Sequence, residues 1–150
     1  MNLLPKNDLL QYVQNILHAD TQLHQCSIDL SVNSIHTFKR PASLDFGGSE
    51  FEAAAREEIP STKKNRDDDY GWWMLQSGLY QASFNETISL GNNKIAIISP
   101  HEHAVEAGFT GGHHIITNDQ RPLSFNFRVP RVGCNIKENA RIATLCIFGM

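Results

Sequence analysis

No stretch of this chain approaches eighteen consecutive apolar residues, and the opening MNLLPKNDLL lacks the apolar core of a secretory leader. A spanning helix needs about 20 such residues, so no membrane segment or leader is expected. A basic patch is also missing. The net charge is −3, and the only local clustering of cations is Lys63-Lys64 with Arg66. Proteins that grip nucleic-acid phosphates concentrate positive charge on one face, so no nucleic-acid partner is expected. The three cysteines, Cys26, Cys134 and Cys146, are odd in number and show no CxxC spacing. They point to a reduced, cytoplasmic compartment. The chain contains neither an internal repeat nor a low-complexity tract.

What remains is globular in character. The 150 residues are 41% apolar and 19% charged, which suits one domain over residues 1–150 that buries its core without disulfides or metal. LPKNDLLQYVQNILHAD reads as one helix capped by Asn7 or Asp8, with Leu9, Leu10, Val13, Ile16 and Leu17 on a common face. The period then changes to two. In CSIDLSV, Ile28, Leu30 and Val32 alternate with Ser27, Asp29 and Ser31, as in a half-buried strand. Residues 40–71 carry Pro41, Gly47-Gly48, Pro60 and the triple acid Asp67-Asp68-Asp69, and read mostly as solvated loop. From Trp72 onward short strands follow one another between turns. In LSFNFRV, Leu123, Phe125, Phe127 and Val129 point inward. The fold class is therefore all-β, a sandwich or barrel with one short N-terminal helix.

The densest chemistry lies in SPHEHAVEAGFTGGHH, which holds four of the seven histidines. On a strand, His101 and His103 would share one face about 6–7 Å apart, a workable metal pair with Glu106 as an oxygen ligand. The other reading is that these are polar residues of a pocket or a subunit contact.

Five phrases, which follow the family's order along the chain, resemble the dUTPase/dCTP deaminase superfamily. QCSIDLSVNSIHTF is similar to its opening strand, and WMLQSGLYQASFNETISL to its Trp-x-Leu-x-x-Gly-x-Tyr segment with the following Asn-Glu pair. KENARIATLCIF is similar to its late Arg-Ile-Ala-Gln-Leu strand. LDFGGSEFEAAAREEIP and DDDYGWW resemble the archaeal-type branch of dUTPase-like proteins. The resemblance implies a distorted jelly-roll β-barrel, a homotrimer, and sites for a deoxynucleoside triphosphate with Mg²⁺ at subunit interfaces. It implies hydrolysis of dUTP to dUMP and pyrophosphate, or deamination of dCTP.

Mapped residue by residue, the resemblance gives Asp29 the position that holds Mg²⁺ through waters. Arg141, Ile142 and Ala143 keep the late strand, with Thr144 where the usual Gln stands. The phosphate segment, ordinarily Pro-Arg-Ser-Ser-Leu-Leu-Arg-x-Gly, aligns with PHEHAVEAG. Pro100 and Gly108 keep its frame, and His101, Glu102, His103 and Glu106 replace the arginines and serines. Arg suits phosphate through its planar fork of donors, whereas Glu adds like charge. For the water-positioning Asp two registers are open, one placing it at Glu106 and the other near Thr117, with Asp119 the nearest acid. In the second register DQRP stands where a Gly-aromatic-x-Gly turn belongs. LSFNFRV has no counterpart of the deaminase glutamate, and the chain stops at Met150 without a Gly-rich arm. The expectation is a nucleotide-binding domain with altered or lost catalysis. Catalytic candidates are Asp29, Asp119 and Glu106. Nucleotide-binding candidates are His101, Glu102, His103, Gly108, Thr117 and Arg141. The alternatives are a silent nucleotide-binding or regulatory trimer, and a small metal-binding β-barrel using His101, His103 and Glu106.

Overall fold

A computed structural model describes residues 1–119 and 122–150. In chain order its elements are β1 (Asn2–Leu3), α1 (Lys6–Leu9), β2 (Val13–Gln14), α2 (Ala19–Gln22), β3 (Ile28–Arg40), β4 (Ala55–Glu58), β5 (Trp72–Leu75) and β6 (Gly78–Phe84). They continue as β7 (Thr87–Ile88), β8 (Lys94–Pro100), α3 (Glu102–Glu106), β9 (Thr110–Gly111), β10 (His114–Ile116), β11 (Ser124–Val129), β12 (Cys134–Lys137) and β13 (Arg141–Gly149). The main sheet runs β10-β8-β13-β3-β6-β11-β9, with β1 on β13 and β4 on β3. Two-stranded pairs β12-β5 and β2-β7 flank it. It curls into a half-barrel, in keeping with the all-β class read from the strand pattern and with the distorted jelly roll that the family resemblance implies.

Strand β3 organises the molecule because it changes partners midway. Ile28 to Ser31 pair with β13, whereas Val32 to Thr37 pair with β6 across a register shift between Val32 and Ser34. Alternation then builds the core. Leu30, Val32 and Ile35 of β3 are fully buried, with Phe127 and Val129 of β11 and Leu145 and Ile147 of β13. Phe84 meets Phe125 edge-on at 5.2 Å, and Phe109 stacks on Phe127 at 4.8 Å. Each large side chain buried here contributes about 1.5–3 kcal/mol.

Three local expectations change. The long N-terminal helix is absent: only Lys6–Leu9 is helical, Val13–Gln14 pairs with Thr87–Ile88, and Asn15 sits at φ 63. That dihedral cannot belong to a right-handed helix, and pairing with β7 satisfies backbone that the helix would have used. Leu10 and Leu17 accordingly stay exposed. The polar row of β3 does not face water either, because Asp29 and Ser31 are each only 2% exposed. Finally, His101 and His103 are not on a strand: β8 ends at Pro100 and α3 begins at Glu102.

The loop region is as expected except for β4, which extends the sheet beside Lys39 and Arg40. Of DQRP, Gln120 and Arg121 lie outside the described residues. The three cysteines are unpaired. Among the described residues, no helix is long and apolar enough to cross a membrane.

Candidate functional site

Three adjacent strands bring the expected residues together. Strand β13 lies between β8 and β3, and its Thr144 is in register with Ser99 on one side and Asp29 on the other. Arg141 begins the same strand, and the chain leaving β8 turns directly into α3. Their ends enclose a polar cavity of about 290 Å³ lined by Asp29, Arg141, Thr144, His101, Glu102 and His103. His24 and Ser27, from the turn before β3, complete it. A second cavity of about 300 Å³ shares His103 and Arg141 with the first. Phe109, Ile136 and Ile142 contribute apolar walls, and Trp72 also lines it.

Asp29 is the hub of the polar cavity. Its Oδ2 accepts from Arg141 Nη1 at 2.8 Å and meets His24 Nε2 at 2.8 Å and His101 Nε2 at 3.3 Å. Its Oδ1 accepts from the Thr144 hydroxyl at 3.3 Å. Gathering three hydrogen-bond donors on one carboxylate offsets the cost of burying its charge. The same Arg141 Nη1 also donates to the Thr21 carbonyl at 3.2 Å.

His101 is fixed as firmly. It is the N-cap of α3, and its Nδ1 accepts the backbone N–H of His103 at 3.0 Å. An accepting Nδ1 places the ring proton on Nε2, where it points at Asp29. Its Nδ1 is thereby committed. The His103 ring lies edge-on to it at 4.8 Å.

These commitments decide what the site can hold. A Mg²⁺ water shell needs free carboxylate acceptors. A carboxylate offers about four; Arg141 and His24 fill the two on Asp29 Oδ2, with His101 Nε2 also 3.3 Å away, and Thr144 takes one of the two on Oδ1. Asp29 therefore keeps one acceptor on Oδ1 beside a charge already matched by Arg141, and the other carboxylate on the cavity wall is Glu102. A transition-metal pair at His101 and His103 is opposed at His101, whose Nδ1 accepts the His103 N–H and whose Nε2 faces Asp29 at 3.3 Å. Among the described residues no group of three or more His, Cys, Asp or Glu side chains is placed to hold a metal ion.

The remaining candidates lie elsewhere in the single chain. Glu106 is exposed at the end of α3, and Thr117 is exposed after β10. Asp119 accepts the backbone N–H of Leu90 at 2.8 Å, pinning the loop before β8. Gly108 adopts φ +89, and a Cβ there would meet the Pro130 ring at 2.9 Å. It turns the chain out of α3 rather than lining the cavity.

Two residues of consequence escape a reading of the sequence. His24 reaches Asp29 because its N–H donates to the Ser27 carbonyl at 2.8 Å and Leu23 bridges Ile28, folding the chain back onto β3. No spacing signals that turn. Glu86, fully buried, accepts from Ser31 N at 3.0 Å, Ser31 Oγ at 2.6 Å and Gln22 Nε2 at 2.5 Å. Burial pushes its carboxyl above the ordinary glutamate value, against the opposing hydrogen bonds from Ser31 and Gln22. The Asn-Glu phrase was its only signal. Asn85 beside it donates to Ser31 Oγ and Asn139 Oδ1, each at 2.9 Å.

No family model matches the chain. A protein of Methanosarcina acetivorans named probable deoxyuridine 5'-triphosphate nucleotidohydrolase is 27% identical across 99% of this chain and 88% of its own length. One of the same name from Methanosarcina mazei is 26% identical over the same shares. The crystal structure of 2'-deoxycytidine 5'-triphosphate deaminase from Agrobacterium tumefaciens superposes with a TM-score of 0.67 at 13% identity. The match covers 97% of this chain and 48% of that one, so this chain spans about half the deaminase's length.

Proposed function

The chain belongs to the dUTPase/dCTP deaminase superfamily, and on that footing we propose that it binds a deoxynucleoside triphosphate and hydrolyses it with an altered set of side chains. The substrate we assign is dUTP, for which the archaeal relatives are named, and the products are dUMP and pyrophosphate. The observation that carries this reading is the polar cavity. It joins Asp29 and Arg141, from two of the resembling phrases, to the start of the Pro100–Gly108 segment, which the family resemblance aligns with a phosphate cradle.

Within that cavity His101 and Thr144 hold Asp29, Asp29 holds Arg141, and Arg141 with His103 presents donors toward the phosphates. We read the assembly as a homotrimer. Glu106, Thr117 and Asp119 stand off the cavity in one chain, and a neighbouring copy supplies the way for them to reach it. Magnesium belongs in the assay because the family resemblance implies it, but Asp29 is not assigned as its ligand. Deamination is the weaker assignment, since LSFNFRV carries no glutamate.

A second reading has its own support: Glu102 adds charge beside the phosphate frame and Arg141 is already engaged by Asp29, as in a silent nucleotide-binding trimer. One panel separates the two. Each deoxynucleoside triphosphate is incubated with Mg²⁺ and assayed for pyrophosphate and ammonia, with thermal shift on the same samples. Pyrophosphate from dUTP is the expected result. A flat panel with a thermal shift favours the silent binder, and a flat panel without any shift ends both.

A further inference from the structure

The groups expected to activate water lie off the cavity in the single chain, which leaves open what takes the proton. We propose that His24 is the general base of this cavity, with Asp29 as its positioning residue; this rests on the nucleotide-hydrolysis reading above.

Within one chain, elimination narrows the choice. Asp29 is 2% exposed and already holds Arg141, His24 and Thr144, and His101 is 5% exposed with its Nδ1 committed to the His103 backbone N–H. Glu102 and His103 line the cavity, but among the described residues no side chain is hydrogen-bonded to either to fix its direction. His24 is different. Its Nε2 sits 2.8 Å from Asp29 Oδ2, while its side chain is 49% exposed. Contact with a carboxylate puts the ring proton on Nε2 and leaves Nδ1 as an acceptor, with no protein partner among the described residues. The buried carboxylate sets the orientation of the ring and opposes the positive charge that forms when Nδ1 takes a proton. This is the arrangement by which a third group holds a general base in place.

The step balances with water alone. The water oxygen bonds to the α-phosphorus as its proton passes to His24 Nδ1. The bond from that phosphorus to the bridging oxygen breaks, and its electron pair leaves with pyrophosphate. The charged and titratable groups around His24 are Asp29, Arg141 and His101 at the carboxylate, and Glu102 and His103 across the cavity.

The test is His24→Gln, compared with wild type in single-turnover pyrophosphate release from dUTP and Mg²⁺ between about pH 5 and 8. Binding of α,β-imido-dUTP is measured by calorimetry on both proteins. The variant is expected to bind the analogue as wild type does and to lose about 10²–10⁴-fold in rate. A variant that keeps the rate overturns the inference, as does a wild type that binds the analogue and releases no pyrophosphate. A wild type that fails to bind the analogue overturns the nucleotide reading itself, which is a different result from either. A variant that melts early and no longer binds the analogue makes His24 a structural residue and likewise overturns its role as base.

Discussion

Two carboxylates are buried against strand β3, and they are satisfied by opposite means. Asp29 is surrounded by cation-forming side chains, Arg141 above all, whereas Glu86 is surrounded only by neutral donors from Ser31 and Gln22. Neutral donors do not repay desolvation of a charge as an ion pair does, so burial holds the Glu86 carboxyl above its ordinary value of 4.5. A raised native value means that the folded state holds its proton more tightly than the unfolded chain. This contribution to stability is therefore fully present below pH 4.5 and is lost as pH rises through the native value. Glu86→Gln removes the titrating group. Urea unfolding across that window is expected to show a shallower fall of stability with pH in the variant. Parallel curves for the two proteins would show that Glu86 does not titrate as described.

At the scale of elements, short pieces with exact ends place the site. Helix α3 has only five residues, yet its N-cap aims His101 at Asp29 and its exit brings Phe109 onto Phe127. The exit depends on Gly108, whose positive φ is costly for any side chain and whose missing Cβ leaves room for Pro130. Gly108→Ala is expected to cost about 1–3 kcal/mol of stability, read as a lower denaturation midpoint. Adding Pro130→Ala is expected to recover part of the loss by relieving the contact. A neutral single substitution would mean that α3 is not anchored there. Strand β11 was legible in the sequence because one face meets the core and the other meets water: Phe125, Phe127 and Val129 are buried, and Asn126 and Arg128 are exposed. The N-terminal segment was not, because its apolar spacing suits a helix while its actual partner, β7, lies over seventy residues away.

At the scale of the whole molecule, the described chain leaves several large apolar side chains uncovered. Leu44 and Phe46 are 83% and 110% exposed, in the segment closed by the bridge between Ser43 and Glu52. Clustered exposure of this kind marks contact surfaces and accords with the homotrimer reading. Light scattering is expected to give three times the 16.8 kDa chain mass. The double change Leu44→Ser with Phe46→Ser is expected to move the mass toward one chain. A wild type that runs as a single chain would remove the subunit-interface part of the proposal.

The sequence by itself determined the all-β class and the inward rows of the strands. Each of these follows from local period or from order along the chain. Only the tertiary structure decided what the polar row of β3 does. Alternation says that Asp29 and Ser31 lie opposite Leu30, but not whether water, Arg141 or Glu86 waits on that side. It likewise decided that His24 belongs to the cavity and that SPHEHAVEAGFTGGHH is a strand end, a helical turn and two further strands. The physical reason is common to these cases: hydrogen-bond commitments are made between strands distant in sequence, and an acceptor already filled cannot be filled again.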